Sequence, residues 1–256
     1  ELAQTSAAQM ARIKQRGCVV VRGVFSNERV ATWNAALAHY IADNQYLEKQ
    51  KEKAGLDQYF STLASAKPQI YGLYWSQAQM DARQSSELAQ LRAWLNRLWI
   101  TEHDGTRVFN PDQECTYADR VRQRQPGDAS LGLSPHVDGG SIERWIDPGY
   151  RRVYAPVFGG DLNAYDPFNA AHRTETQEIP SPAVCSMFRT FQGWTALTPQ
   201  GPGDGTLRLV PIANAMAWVL LRALQDDVAE DDLCGARAAR AMVVSEQHHA
   251  LLLDAF

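Results

Sequence analysis

The stretch from residue 133 to residue 140 reads Leu-Ser-Pro-His-Val-Asp-Gly-Gly, and the interpretation of the whole chain starts from it. It places His136 and Asp138 two residues apart at the end of a strand-like segment, and side chains at that spacing share one face of a strand. An imidazole and a carboxylate so placed can occupy two adjacent positions on an octahedral ion, as in the facial triad of two His and one carboxylate. The spacing is therefore compatible with His136 and Asp138 as metal ligands, although a His-x-Asp pair by itself is a weak signal. A His hydrogen-bonded to a nearby carboxylate in a turn is the alternative.

The segments around this motif predict β structure. After Asn110-Pro111 the chain consists of short segments separated by Pro and Gly, a pattern typical of an all-β sandwich or jelly roll. Within it, residues 214–224 return to helical periodicity. The expected β segments are residues 115–122, 153–158, 184–197 and 206–210.

The first 110 residues predict mainly helix. Residues 1–16 are expected to form a helix that ends at Gly17, and the β-branched run 18–21 is typical of a buried strand. Ser26 is a plausible N-cap for an amphipathic helix with Glu28 in its first turn, and leucines recur at helical spacing from residue 88 to residue 98. Helices first and strands afterwards favour the α+β class over alternating βαβ units.

Composition excludes several classes of protein. The net charge of −4 and the pI of about 5.9 give no basic footprint for nucleic acid. No apolar run approaches the roughly 20 residues that span a bilayer, and the start of the chain lacks a signal-peptide pattern, so we expect a cytoplasmic protein without membrane contact. The four cysteines lie far apart and are expected to be reduced thiols.

Longer stretches resemble known families. Residues 17–26, 192–197 and 204–211 resemble an opening strand with its helix cap and two core strands of phytanoyl-CoA dioxygenase-type proteins. The resemblance is closer, and covers nearly the whole chain, to the YbiU-like family, a domain of unknown function in bacteria and fungi. Its matching segments are residues 74–80, 95–99, 143–145, 165–167, 171–175, 188–197 and 244–247.

This resemblance implies an iron(II)- and 2-oxoglutarate-dependent oxygenase built on a double-stranded β-helix, with His136 and Asp138 as the first two iron ligands. It also implies a later segment with a distal His and the last core strands, which nothing in this chain matches. Among the other histidines, His39 and His103 are expected at the surface. His172, in a loop beside Arg173, is the best remaining candidate for a third ligand within the chain.

Arginine can hold a carboxylate through two hydrogen bonds, and 2-oxoglutarate and many substrates are carboxylates. Arg120 is therefore a candidate co-substrate contact, and Arg122 shares its strand face. Tyr117 on the same segment, and Gln192 with Trp194 on one face of an expected strand, are further co-substrate candidates. Candidate substrate contacts are Arg144, Arg173 and Arg189; surface salt bridges are the alternative for each arginine.

Taken together, these expectations describe a single domain over residues 1–256, with a mainly helical part (1–110) and a β-rich core with a helical insertion (111–256) that lacks its last strands. The expected activity is oxidation of an unknown small-molecule substrate with iron(II) and 2-oxoglutarate. Two alternatives remain open. One is a non-catalytic jelly roll that binds a small acid or a partner, and the other is a zinc hydrolase on the same ligands.

Overall fold

Helices dominate the part of the chain that the computed structural model describes, which comprises residues 2–51, 67–114, 116, 118–127, 152, 155–159, 161, 164, 166–173, 189–204 and 206. Two short 3₁₀ helices, Leu2–Gln4 and Ala170–Arg173, accompany the main elements. The α-helices are α1 (Ala7–Arg16), α2 (Asn27–Asp43), α3 (Tyr46–Lys51), α4 (Gln77–Arg83), α5 (Ser86–Asn96) and α6 (Ala155–Phe158). The strands are β1 (Ile70–Tyr71), β2 (Glu102–His103), β3 (Thr106–Arg107) and β4 (Val121–Arg122).

Serine N-caps start four of these helices. In each, the hydroxyl oxygen accepts a hydrogen bond from the backbone N–H three residues further on, which satisfies one of the free donors of the first turn. At α1 and α4 a glutamine at the third helical position completes a capping box. The four caps are Ser6, Ser26, Ser76 and Ser85. The predicted cap at Ser26 is confirmed.

The end of the first helix is also confirmed. Gly17 follows α1 in the left-handed conformation, with φ of 68°, and its N–H donates to the carbonyl of Ile13 at 2.9 Å. The predicted start was wrong, because the helix begins at Ala7 after the cap at Ser6 and a separate 3₁₀ turn precedes it.

The valine run after Gly17 does not form the buried strand that was expected. Residues 18–21 have no strand assignment, and the side chains of Val19 and Val20 are 38% and 80% exposed. A strand needs a neighbour for its N–H and C=O groups, and the described part of the chain supplies none here. Cys18 beside this run is a half-buried free thiol.

One packed core cluster of the described residues lies between α2 and α4. Trp33 and Leu37 from α2 and Ala78 from α4 are buried together, at 6%, 5% and 5% exposure. Phe25 meets Trp33 edge to face at 4.9 Å between ring centroids, a favoured aromatic geometry. Val121 of β4 also packs against this cluster, so the core ties the helical layer to the strand that precedes His136 in the sequence.

The leucine helix predicted around residues 88–98 is confirmed as α5. Its leucines are half-buried, and Leu98 just beyond its end is 3% exposed. An ion pair of 2.8 Å between Arg29 and Glu87 joins α2 to the first turn of α5. Among the residues described, no helix combines the length and apolar composition that a membrane crossing requires.

The described strands form two small antiparallel sheets. In the first, β1 pairs with β4, with Ile70 opposite Arg122 and Tyr71 opposite Val121. The second is a hairpin of β2 and β3 whose two-residue turn, Asp104-Gly105, has positive φ at both positions (48° and 73°). That conformation matches the twist of a hairpin and favours the Asp-Gly sequence.

Several expected β segments differ from the structure. Residues 155–158, expected in a strand, form the helical turn α6, and residues 191–197 carry no strand. The 115–122 segment is β structure at Val121–Arg122 among its described residues. The helix expected at 214–224 and the segment 207–210 lie outside the described residues.

Candidate functional site

The predicted metal pair, His136 and Asp138, lies outside the described residues, as do Tyr117 and Arg144. For His172 and Arg173 the structure gives the backbone, which forms the 3₁₀ turn Ala170–Arg173. In the part of the chain that is described, no three His, Cys, Asp or Glu side chains come together to hold a metal ion. What the structure does show is how the segments on either side of the motif are held.

The segment that leads toward the motif is fixed on β1. The backbone N–H of Gln123 donates to the carbonyl of Gln69 at 3.0 Å, which continues the β1–β4 ladder by one residue. The Tyr71 hydroxyl donates to the side-chain oxygen of Gln123 at 3.1 Å, and its ring stacks on Tyr46 at 5.4 Å. Burial, and secondarily the neighbouring Tyr46, raises the pKa of Tyr71, so the phenol stays a neutral donor.

Gln79 and Arg83, both on α4, bind the same segment at Asp119. The Gln79 side-chain amide donates to the Leu73 carbonyl at 2.8 Å, to the Asp119 carbonyl at 3.1 Å and to the Asp119 carboxylate at 3.2 Å. Arg83 forms an ion pair of 2.8 Å with that carboxylate and donates to the Tyr74 carbonyl at 2.6 Å. Helix α4 thereby fixes the residue immediately before Arg120.

Sequence reasoning missed this anchor. The signal that could have found it is the serine–glutamine capping-box spacing of Ser76 and Gln79, which predicts a helix start at this point. Gln79 is 4% exposed, and a buried amide with both donors and acceptor engaged is a strongly constrained position.

Arg120 and Arg122 point away from the core that α2 and α4 form. Both side chains are exposed, and the guanidinium carbon of Arg120 lies 5.9 Å from the centroid of the Tyr74 ring. Between them Val121 is half-buried against the core. The predicted sharing of one strand face by Arg120 and Arg122 therefore agrees with this alternation.

Residues 189–197, which belong to one of the segments that resemble the YbiU-like family, are attached to the end of α5. The Thr190 hydroxyl donates to the side-chain oxygen of Asn96 at 2.6 Å, and the Asn96 amide donates to the carbonyl of Pro111 at 3.1 Å. Phe191 joins an aromatic cluster with Trp99 and Phe168, with ring centroids 6.3 and 6.2 Å away. This packing orders the backbone around Arg189.

The candidate side chains on that segment are exposed. Arg189 and Gln192 lie at the surface, and Trp194 is 55% exposed. Because residues 191–196 form no strand, the shared strand face on which the Gln192–Trp194 pocket was predicted is absent, and that part of the prediction was wrong.

An open depression of about 440 Å³ lies beside the β2–β3 hairpin, lined by His103, Asp104, Thr106, Arg107, Val108 and Ala171. His103 lies 3.4 Å from the Asp104 carboxylate, and both side chains are more than half exposed. Water reaches these groups freely, so the depression does not provide the dry environment that strengthens polar chemistry. His39 and His103 are both surface residues, as predicted.

Comparison with known proteins assigns the chain to a family. The model of the Gig2-like family matches residues 1–255. The chain belongs to the Gig2-like family. Within that family it is 50% identical to the YbiU protein of Escherichia coli K12 over 252 residues, which is 98% of this chain and 59% of YbiU. The predicted YbiU-like relationship is confirmed.

Solved structures of Gig2-like relatives share this fold. A Salmonella typhimurium LT2 protein, provisionally named an oxidoreductase, superposes with a TM-score of 0.80 at 46% identity, over 99% of this chain and 61% of its own. The GlcNAc Inducible Gene 2 product of Candida albicans superposes with a TM-score of 0.69 at 27% identity, over 90% of this chain and 49% of its own. This Gig2-like chain thus spans about three fifths of YbiU and of the Salmonella protein.

Proposed function

We propose that this Gig2-like chain is part of an oxidoreductase, and more narrowly of an iron(II)- and 2-oxoglutarate-dependent oxygenase that acts on a small molecule. The observation that carries the proposal is the His136–Asp138 pair in a chain whose Salmonella relative is provisionally named an oxidoreductase. The double-stranded β-helix fold and the relationship to phytanoyl-CoA dioxygenase-type proteins belong to the same proposal.

The donor set fits iron(II). One imidazole nitrogen and one carboxylate oxygen are two of the three protein ligands of the facial triad, and such ligands suit a borderline divalent ion. His136 and Asp138 would hold the ion, with the distal His that the family resemblance implies as third ligand. Iron with 2-oxoglutarate would supply the oxygen chemistry, coupling decarboxylation of the co-substrate to oxidation of the substrate.

The described residues would position the ligands and keep their surroundings rigid. Gln79 and Arg83 fix Asp119, so the segment running toward His136 leaves the helical layer at a defined place. Asn96 and Phe191 do the same for the segment that carries Arg189. Rigid support of this kind is what a metal site needs, since ligands misplaced by about 1 Å lose much of their effect.

The test is iron-dependent conversion of 2-oxoglutarate to succinate, measured in this chain and in a longer form that includes the segment by which YbiU exceeds it. We expect turnover in a form that contains the distal His implied by the family resemblance, because an ion held by His136 and Asp138 alone would be bound weakly. In the active form, His136→Ala and Asp138→Ala are each expected to abolish succinate formation with an unchanged circular dichroism spectrum.

His39→Ala is the matched control, since His39 is exposed on α2 and should leave turnover unchanged. Equal turnover in His136→Ala and the parent would refute the ligand assignment. Absence of turnover together with saturable binding of a small acid would instead support the non-catalytic module, and hydrolysis without oxygen would support the zinc hydrolase. If the 256-residue chain alone is active, loss of activity in His172→Ala would identify its third ligand.

A further inference from the structure

Arg120 and Arg122 flank Val121 in the segment around β4. Both arginine side chains are exposed, as are those of Gln123 and Arg124. Val121 is half-buried and packs against the core between α2 and α4. Arg120 and Arg122 therefore share the face that is turned away from the helical layer.

Several other arginines of the described residues lie beside a compensating charge. Arg29, Arg92 and Arg97 each form an ion pair with a carboxylate, from Glu87, Glu114 and Asp112 respectively. Within the described part of the chain, neither Arg120 nor Arg122 forms an ion pair. Asp119, the adjacent carboxylate, is already held by Arg83. Across the sheet, Arg122 faces the apolar Ile70.

The spacing of Arg120 and Arg122 along the backbone suits a ligand with two oxyanions. Residues two apart on a strand are separated by about 7 Å, and each guanidinium can hold an oxyanion through two parallel hydrogen bonds. The contact with the Tyr74 ring restricts Arg120, which reduces the entropy lost when it binds a ligand. The hydrogen bond from Gln79 to the Asp119 carbonyl fixes the backbone next to Arg120.

We propose that Arg120 and Arg122 form a recognition site for a small molecule with two carboxylates. A net charge of −4 for the whole chain argues for a small ligand rather than an extended polyanion. With C–C bonds of about 1.5 Å, an extended diacid of about six or seven carbons brings its carboxylates to the spacing of the two arginines. The site deepens the proposed function, on which it rests in one respect: the diacid is taken as the substrate of the proposed oxygenase.

Binding is measured by isothermal titration calorimetry of the iron-free protein, so that it does not depend on turnover. The probes are succinate, glutarate, adipate, inorganic phosphate and hexanoate, the last having the length of adipate but a single carboxylate. We expect adipate to bind at least tenfold more tightly than hexanoate, succinate and phosphate. Arg120→Gln and Arg122→Gln are each expected to weaken adipate binding about tenfold, because each removes a charge-assisted bidentate contact.

Arg22→Gln is the matched control, because this substitution removes the same charge from an exposed position elsewhere on the surface. Adipate affinity should be unchanged in this variant. Equal weakening in Arg22→Gln would show a general charge effect, and hexanoate binding as tight as adipate would show no recognition of the second carboxylate; either result overturns the proposal. Tighter binding of phosphate than of adipate would assign the face to another ligand and overturns it as well. These binding measurements need no iron. A negative result would therefore leave the oxygenase proposal standing, and absence of turnover would leave the binding proposal standing.

Discussion

Replacement of Gln79 by leucine tests the α4 anchor directly. The substitution keeps helix propensity and approximate side-chain volume but removes the amide that serves the Leu73 carbonyl, the Asp119 segment and the Ser76 hydroxyl. Leu73 and Ser76 are buried, at 8% and 2% exposure, so two of these partners lose their hydrogen bond without access to water. Each such group costs about 1–3 kcal/mol. Burial of the leucine side chain offsets part of this cost. We therefore expect the free energy of unfolding to fall by about 2–4 kcal/mol.

The assay is urea denaturation monitored by tryptophan fluorescence. The dependence of the unfolding free energy on urea concentration is compared between variant and parent, and an equal slope shows that both unfold in the same transition. Gln77→Leu is the matched control: Gln77 lies two residues earlier on the same helix, is exposed, and bonds Asp81 at 2.7 Å, a pair that contributes about 0.2–0.5 kcal/mol. A second variant, Gln79→Glu, keeps the shape but sets a carboxylate beside Asp119. Its deficit should shrink as the pH falls, because the new group has a raised pKa and becomes neutral. If Gln79→Leu and Gln77→Leu unfold at the same urea concentration, the anchor does not exist.

Two further predictions concern helix ends. Gly17→Ala is expected to cost about 1–2 kcal/mol, because the added Cβ meets no atom within 4 Å and the strain of φ at +68° is the sole change; Gly193→Ala, equally uncrowded and without positive φ, should unfold with the parent. The pKa of Glu28 is lowered from its ordinary value, first by its own backbone N–H and then by the Ser26 hydroxyl, so the ionised carboxylate stabilises the folded chain and this effect is lost as the pH falls through the folded-state pKa. Glu28→Gln should therefore melt below the parent at neutral pH, with the difference closing as the carboxylate becomes protonated in acid; a gap that persists in acid would contradict this.

Helix ends could be predicted from the sequence because their signals are local. The cap at Ser26 and the stop at Gly17 each depend on a few neighbouring residues, and both appear in the structure. The hairpin turn Asp104-Gly105 carries an equally local signal, which was not among the predictions. Local chemistry thus accounts for most of what can be predicted about the helical part.

Strands were predicted less well because a strand depends on partners distant in the sequence. The valine run after Gly17 has strong β propensity and yet pairs with no described strand. Residues 155–158, Ala-Pro-Val-Phe, were also expected in a strand and form a helical turn. For the valine run, propensity alone cannot supply the missing neighbour.

For the candidate site, the sequence predicted the ligand pair and the strand face that precedes it. The alternation of Arg120 and Arg122 with Val121 follows from the two-residue period of an extended chain and agrees with the structure. The anchoring of Asp119 by Gln79 and Arg83 was not predictable in the same way, because it joins positions 40 residues apart. The assignment of His136 and Asp138 remains a prediction.

The pairing of β1 with β4 has a consequence for the order in which the chain folds. The Tyr71–Gln123 hydrogen bond beside it closes a loop of 52 residues, for which the entropy of closure is about 3–4 kcal/mol in the length-dependent part alone. Helices α4 and α5 lie inside that loop and can form from local contacts before it closes. We therefore expect the two strands to meet late, after the intervening helices have shortened the path between them, and substitutions at Val121 to speed unfolding more than they slow folding.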